Sequence, residues 1–350
     1  MRLGFPRDPK WSCAKRAAHL NSEGAHNVLK IYRDVDDTFH AENGPLPDHV
    51  IWIDLLDPTP EEKSLVEDRA KIRIPSKEAL SEIEATSRLI VEHGTLYLSA
   101  PIVSRGDLLD THLTPIGFVV NPQLLVTVRY TELPTFDAVA KLVHEDEALA
   151  SSFGVFVALL EAIVDKGADV LEHLGTAIDG ISKSVFKSQQ SASNSPAKSN
   201  ARLREALSSI GAHADRLAQA RDVLLGVGRI ASFASDICQE HLSAEFKTRL
   251  IAVSKDVASL NEYETHLSDK VQFLLDAVLG YISIEQNDLF KVLTIVSVVG
   301  VPPTLLAGIW GMNFKVMPEL NWSLGYPLAW LAIVLSAIAP LVWFKRRGWF

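Results

Sequence analysis

The residues of this chain that could do chemistry lie on one long helical pattern late in the sequence, and nearly all of them offer oxygen. Glu262, Asp269 and Asp276 recur every seven residues, which puts their carboxylates on one stripe of a helix. Asn287 lies eleven residues, about three turns, beyond Asp276 and keeps near the same stripe. Thr294, Ser297 and Thr304 add hydroxyls further along, Gly300 and Gly308 leave room for close approach, and Gly311-Met312-Asn313 closes the run with an amide. Oxygen donors of this kind suit hard cations. One helix cannot enclose a path, but copies arranged about an axis turn each stripe residue into a ring of oxygens. The same features have plainer readings. A carboxylate stripe is what a solvated helix face shows, and Ser or Thr in a membrane helix commonly bonds to backbone or to a neighbouring helix. The stripe alone leaves two readings open, an oligomeric cation channel and a two-span anchor.

The elements that must position these residues are two apolar runs. Residues 290–311 contain a single charge, Lys291, and residues 327–344 contain none. About 20 predominantly apolar residues suffice for an α-helix to cross a bilayer core of roughly 30 Å. The runs are joined by a short loop, 312–326, so they read as a transmembrane hairpin. Pro302-Pro303 inside the first run predicts a kink and frees backbone carbonyls. Below it, apolar residues recur at alternating spacings of four and three from Phe246 through Leu250, Val253, Val257 and Leu260 to Tyr281, with Glu264 standing where an apolar residue is due. That periodicity predicts a helix packed against partner helices. No turn signal separates it from the apolar run, so one continuous helix is expected from about Ala244 to Ile309, of which 244–289 form a stalk. Lys345-Arg346-Arg347 follow the second run directly, while the loop carries only Lys315 and Glu319, so both ends of the hairpin are expected on the cytoplasmic side. Trp310 and Trp322 then fall at the outer boundary, and Trp343 and Trp349 at the inner one.

The rest of the chain is soluble in character. Residues 1–26 are basic without an apolar core and read as a disordered leader rather than a signal peptide. Residues 27–133 alternate short β-branched runs with amphipathic segments, with strands expected at Val28–Arg33, Val50–Leu55, Thr95–Val103, Thr114–Val120 and Gln123–Arg129. Thr59-Pro60-Glu61-Glu62 is a capping box with proline in the first turn, and a second helix is expected from Pro75 through Glu78, Glu82 and Glu84. Residues 134–243 predict long antiparallel helices (Thr135–Glu147, Phe153–Lys187 and Arg202–Val227), broken by the polar stretch 188–200. Residues 345–350 form a basic tail. A net charge of −9 does not suit a nucleic-acid binder. Cys13 and Cys238 have no metal-ligand or disulfide spacing. No phosphate-binding loop, HExxH or nucleophile arrangement points to an enzyme. The fold class that follows is an α+β membrane protein with an N-terminal cytoplasmic α/β domain, a long helical stalk and a C-terminal two-helix transmembrane hairpin.

On these residues the sequence resembles the CorA family of divalent-cation transporters. The resemblance is carried by Asn287, Lys291-Val292-Leu293-Thr294, Pro303-Thr304, Ala307-Gly308-Ile309, Gly311-Met312-Asn313-Phe314, Met317-Pro318-Glu319-Leu320 and Gly325-Tyr326-Pro327. Trp52-Ile53-Asp54-Leu55 with the capped helix after it is similar to the family's cytoplasmic domain. The resemblance implies a homopentamer in the plasma (bacterial inner) membrane, with the first span lining the pore and the second facing lipid. It implies an outer mouth of Gly311, Met312 and Asn313, with Glu319 raising the local cation concentration. It implies polar rings at Asp276, Asn287, Ser297 and Thr304, and apolar constrictions at Phe290, Leu293 and Val301. The cargo it implies is Mg²⁺, with Co²⁺ or Ni²⁺ as further passengers, entering down the membrane potential.

One departure concerns the family's regulatory Mg²⁺ site between subunits. Glu82 matches its first carboxylate, but the stalk position reads Ala252, and the nearest acid is Asp256, one turn further on. Two alternatives remain: a ZntB-like Zn²⁺ transporter, against which the loop Phe314-Lys315-Val316-Met317-Pro318-Glu319 lacks the expected glycines, and a membrane-anchored receptor or scaffold.

Overall fold

The computed structural model describes residues 28–32, 50–82, 88–104, 111–146, 149–190, 196–237, 243–313, 317 and 322–349, with the backbone alone for 28–32, 188–190 and 196–200. The expected leader, Glu84, Glu319 and both cysteines lie outside the described residues. Six strands form one sheet in the order β1-β2-β6-β5-β4-β3: β1 Val28–Tyr32, β2 Trp52–Leu56, β3 Leu89–Glu92, β4 Thr95–Ser104, β5 His112–Val120 and β6 Leu125–Arg129. Only β2 and β6 pair in parallel; the other neighbours are antiparallel. Alternation along the strands divides the core. Ile53, Leu55, Tyr97, Val119, Val126 and Val128 face one way, onto Val66 of α1 (Pro60–Ala70) and Leu80 of α2 (Lys77–Leu80). Trp52, Leu96, Leu98, Phe118 and Val120 face the other way. They pack on α3 (Pro134–Glu145) and on the start of α4 (Ser152–Gln190), with Phe118 edge-on to Phe156 at 5.7 Å.

The capping box of α1 is formed as expected: the Glu62 amide donates to Thr59 Oγ1 at 3.2 Å, and the Thr59 amide to Glu62 Oε2 at 2.8 Å. The second helix is shorter than expected. The Ser81 amide keeps its helical bond to Lys77 O at 3.1 Å, but the Glu82 amide turns to Ala79 O at 3.4 Å, so the helix closes after four residues and Glu82 follows it instead of riding on it. Strand β3 is absent from the sequence reading. Its turn to β4 is His93-Gly94, with φ of 50° and 78°, the left-handed pair that a two-residue hairpin needs, here built on His in place of the usual Asn or Asp.

The sheet holds one ion pair that is cut off from water. Asp54 is fully buried and Arg129 is 2 % exposed. Arg129 Nη2 donates to Asp54 Oδ2 at 2.8 Å and Nη1 to Thr131 O at 2.8 Å, while Thr127 Oγ1 donates to Asp54 Oδ1 at 2.7 Å. Trp52 Nε1 donates to Thr127 Oγ1 at 3.0 Å, and the guanidinium lies over the Phe136 ring. The parallel register sets Asp54 opposite Thr127, and this network ties β2 to β6 where ladder bonds alone would be weaker.

The apolar core continues without a break from the sheet into the helices. α4 and α5 (Pro196–Ile237) run antiparallel, and α6 (Ala244–Trp310) lies along both. α5 extends well beyond the expected Arg202–Val227, because Ile230, Ala231 and Ala234 continue its buried face. α6 is the expected continuous helix, with its first turn capped by Ser243, and its 67 residues make a rod on the order of 100 Å. α7 (Gly325–Arg346) returns against the upper end of α6. These features are those of the α+β fold with helical stalk and two-helix hairpin anticipated from the sequence.

Arg129→Met leaves Asp54 charged and unpaired in the sheet. It should destabilise the protein by about 3–5 kcal/mol, read as a lowered denaturation midpoint of the full-length chain in detergent. The double variant Asp54→Leu/Arg129→Met should recover most of that loss.

Candidate functional site

At 3.6 residues per turn, Asp276, Asn287, Phe290, Leu293, Ser297, Val301 and Thr304 all fall within about 60° of one meridian of α6. All seven are exposed. The opposite face meets α7: Ile295, Val299, Pro302, Pro303, Leu306 and Trp310 are half-buried there, against small residues such as Ala329, Ala332, Ser336 and Ala337. The hairpin partner thus covers one side of α6 and leaves the oxygen-bearing side bare. The last buried residue of α6 is Val278, and no residue from 279 to 310 is buried. Phe290 stays 66 % exposed, Leu293 62 % and Val301 60 %. Apolar surface on this scale needs lipid or another protein against it.

The polar atoms on this face are ordered by the helix itself. Thr304 Oγ1 donates to Gly300 O at 3.0 Å and Val301 O at 2.8 Å, and Thr294 Oγ1 donates to Phe290 O at 2.8 Å. With the proton directed at the backbone, the lone pairs of Thr304 point outward as acceptors, so the backbone bond and a cation-facing role coexist. Pro302 and Pro303 lack amide hydrogens, which leaves the carbonyls of Val298 and Val299 without their helical donors, yet the helix runs on. Lower down, Gln272 Nε2 donates to Asp276 Oδ1 at 3.3 Å and orients that carboxylate. At the start of the apolar run Asp288 and Lys291 pair at 2.7 Å.

The upper end of α6 closes at the Gly-Met-Asn tripeptide. The Gly311 amide donates to Ala307 O at 3.0 Å and the Met312 amide to Ile309 O at 3.3 Å, tightening the last turn before the chain departs. A Cβ on Gly311 would stand 3.1 Å from Ala307 O, closer than ordinary contact. Met312 and Asn313 are exposed just beyond. Glu319, expected at this mouth, lies outside the described residues.

The two residues expected at a regulatory site, Glu82 and Asp256, are both exposed, one after α2 and one on α6. Within one chain the described residues bring no three His, Cys, Asp or Glu side chains together as metal ligands. Cross-helix pairs that spacing does not reveal staple the stalk. Arg249 Nε donates to Glu161 Oε1 at 2.8 Å, Lys270 pairs with Asp179, and Phe186 of α4 stacks on Phe273 at 6.1 Å.

Glu264 is different from the other stalk acids. It is 2 % exposed, wedged between α6 and α5 in the apolar seam, and its nearest cation is Arg221 Nη1 at 3.8 Å. Burial pushes its pKa up, Arg221 opposes that shift, and Asp269 adds to it.

The sequence pattern of the family described as CorA-like Mg2+ transporter protein matches residues 47–346. The magnesium transport protein CorA of Pasteurella multocida is 30 % identical over 300 residues, 85 % of this chain and 92 % of the relative. The solved complete CorA magnesium transporter of Methanocaldococcus jannaschii superposes with a TM-score of 0.72 at 18 % identity, covering 93 % of this chain and 99 % of that one. The ZntB cytoplasmic domain of Vibrio parahaemolyticus superposes with a TM-score of 0.54 at 9 % identity over 73 % of this chain and 99 % of that one. At those identities the two structures speak for the fold alone.

A carboxyl whose pKa is raised by folding favours the folded state below its ordinary value of 4.5, and that contribution is lost as pH rises through the raised value. Glu264→Gln keeps the shape without the charge. It should raise the melting temperature of the solubilised chain at neutral pH by roughly 2–4 °C, the shift that about 1 kcal/mol produces, and flatten its rise on mild acidification.

Proposed function

Since the chain belongs to the family of CorA-like Mg²⁺ transporter proteins, we propose that it is a homo-oligomeric, channel-type transporter that admits Mg²⁺ across the plasma (bacterial inner) membrane. The observation that carries this reading is the bare, oxygen-bearing face of α6 opposite α7. Five copies about an axis, each turning that face inward, would line a path and leave the α7 hairpins toward lipid.

Mg²⁺ sheds water reluctantly and prefers octahedral oxygen. A mouth of Asn313 amides and carbonyls therefore suits a cation that keeps its first hydration shell, with Gly311 and Met312 shaping the opening and Glu319 concentrating cations by its charge. Thr304 and Ser297 offer rings of hydroxyl acceptors within the span, and Asn287 and Asp276 receive the ion at the inner end. Phe290, Leu293 and Val301 form apolar girdles that close by excluding water. The inside-negative potential supplies about 2.3 kcal/mol per charge per 100 mV, roughly twice that for a divalent ion, so no nucleotide is required. Co²⁺ and Ni²⁺ would pass too, since oxygen-lined hydrated-ion sites discriminate little by ligand softness. Both ends of the hairpin lie on the cytoplasmic side in this reading, which the Lys345-Arg346-Arg347 cluster supports. Glu82 and Asp256 serve as a weak inhibitory Mg²⁺ site between subunits, and Glu82→Ala/Asp256→Ala should relieve inhibition of currents by internal Mg²⁺; unchanged inhibition removes that role.

Mg²⁺ flux into proteoliposomes under an imposed inside-negative potential tests the central reading. Asn313→Ala deletes from each copy a hydrogen bond to a charged, hydrated ion worth about 1.5–3 kcal/mol, so uptake should fall on the order of tenfold or more. Unimpaired uptake in that variant removes Asn313 from the path, and absence of uptake by the parent protein returns the hairpin to the role of an anchor. Zn²⁺ flux that requires a pH gradient, in place of Mg²⁺ flux, would favour ZntB-like transport.

A further inference from the structure

The chain folds back on itself where α7 ends. Arg347 caps the helix and Gly348 takes φ of 72°. The Trp349 amide donates to Phe344 O at 3.2 Å and the Gly348 amide to Lys345 O at 3.2 Å. These are the paired bonds of a Schellman motif, complete with its apolar contact: the Trp349 and Phe344 rings lie 4.9 Å apart, and Phe344 is 2 % exposed. The turn gathers three cations about an aromatic base. Lys345, Arg346 and Arg347 are all exposed, and among the described residues none of them pairs with a carboxylate. Arg347 lies 4.6 Å from the centre of the Trp343 ring, and Trp343 itself remains 49 % exposed. Lys345 continues the line of Ile338, Leu341 and Val342, the exposed apolar side of α7 along which acyl chains would lie, with Arg346 beside it, whereas Arg347 sits further round the helix over Trp343.

We propose that this fold-back is a binding site for anionic phospholipid headgroups of the inner leaflet. Three unpaired cations complement a phosphodiester surface, and Arg presents a planar fork to phosphate oxygens. Trp343 and Trp349 supply amphipathic rings at headgroup depth. The Schellman turn holds the guanidinium of Arg347 against Trp343 in place of leaving it on a loose tail. An acyl chain against Leu341 and Val342 sets its own phosphate at the level of the cluster, and this continuity selects a lipid over a soluble anion. The inference rests on the membrane placement of the hairpin given above.

The test is tryptophan quenching in full-length protein reconstituted with brominated phosphatidylglycerol or brominated phosphatidylcholine, with Mg²⁺ flux measured on the same preparations. Quenching by the brominated phosphatidylglycerol should exceed that by the phosphatidylcholine. The preference should weaken by roughly fivefold per basic residue, the factor equivalent to about 1 kcal/mol, in Lys345→Gln/Arg346→Gln/Arg347→Gln, with flux retained. Gly348→Ala, which forces a Cβ into left-handed backbone, should weaken it with every charge in place. Equal quenching by both lipids in the parent protein overturns the proposal, as does a preference untouched by the triple variant. A triple variant that loses its oligomeric state would show the patch to be a contact between copies and overturn it likewise. Absence of quenching by either lipid, together with absent flux, would instead defeat the membrane placement itself.

Discussion

The upper part of α6 is a helix that its own chain cannot cover. From Leu279 to Trp310 no residue is buried, although Leu289, Val292, Leu293, Val296 and Leu305 are large and apolar. Up to Tyr281, which lies edge-on to Phe186 of α4, the same helix is clamped by α4 and α5, and beyond it, among the described residues, α7 lies alongside. A soluble domain does not tolerate such a surface, and one returning helix can bury only one side of it. Everything else in the structure is arranged to let this helix stand: the capped start at Ser243, the apolar seam with α5, and the cross-helix pairs of Arg249 with Glu161 and Lys270 with Asp179.

That arrangement sorts the acids of the stalk by what surrounds them. Asp276 sits exposed on the bare face, where Gln272 donates to its carboxylate. Glu264 sits in the seam, where desolvation and Asp269 oppose its ionisation and Arg221 favours it. A seven-residue repeat cannot separate these roles, because a helix surface and a helix interface share the same period. Position around the axis decides: residues on the meridian of Phe290 are exposed among the described residues, whereas Leu267 lies against Gly175 of α4 and Val257 against Gly228 of α5.

Much of this was legible in the sequence because it rests on local rules. The α6 limits follow from unbroken periodicity between a serine cap and Gly311, and the α1 cap follows from Thr59 and Glu62. Glu264 stood out as an interruption of the apolar repeat, although its partner did not, since Arg221 lies on another helix. What escaped was long-range or unusually built. Arg129 reads as the polar end of a strand, but parallel pairing of β2 with β6 brings it onto Asp54, 75 residues away. Strand β3 escaped because its hairpin turn uses His93 in a left-handed conformation that Asn or Asp more commonly adopts. Helix α2 reads longer in the sequence than it is, because the residue types do not mark the bond of the Glu82 amide to Ala79 O that closes it.

The candidate site differs in kind from an enclosed metal centre, and its appearance in a single chain follows from that. A structural cation site converges several donors from one fold and orients them through further hydrogen bonds. In the proposed assembly each chain needs to contribute one oxygen per level, and symmetry supplies the others. The donors should then be solitary, exposed on one face and stacked at intervals, which is how Asp276, Asn287, Ser297 and Thr304 stand on α6. Their backbone must also be stiff, because a ring diameter shared by several copies is set by the helix and not by side-chain convergence. The long unbroken run from the stalk into the span meets that need, and the tandem prolines free two carbonyls within it without ending the helix. A cluster of ligands inside one chain would bind Mg²⁺ and hold it, whereas solitary oxygens repeated by symmetry, as in the proposed assembly, would let the hydrated ion move on.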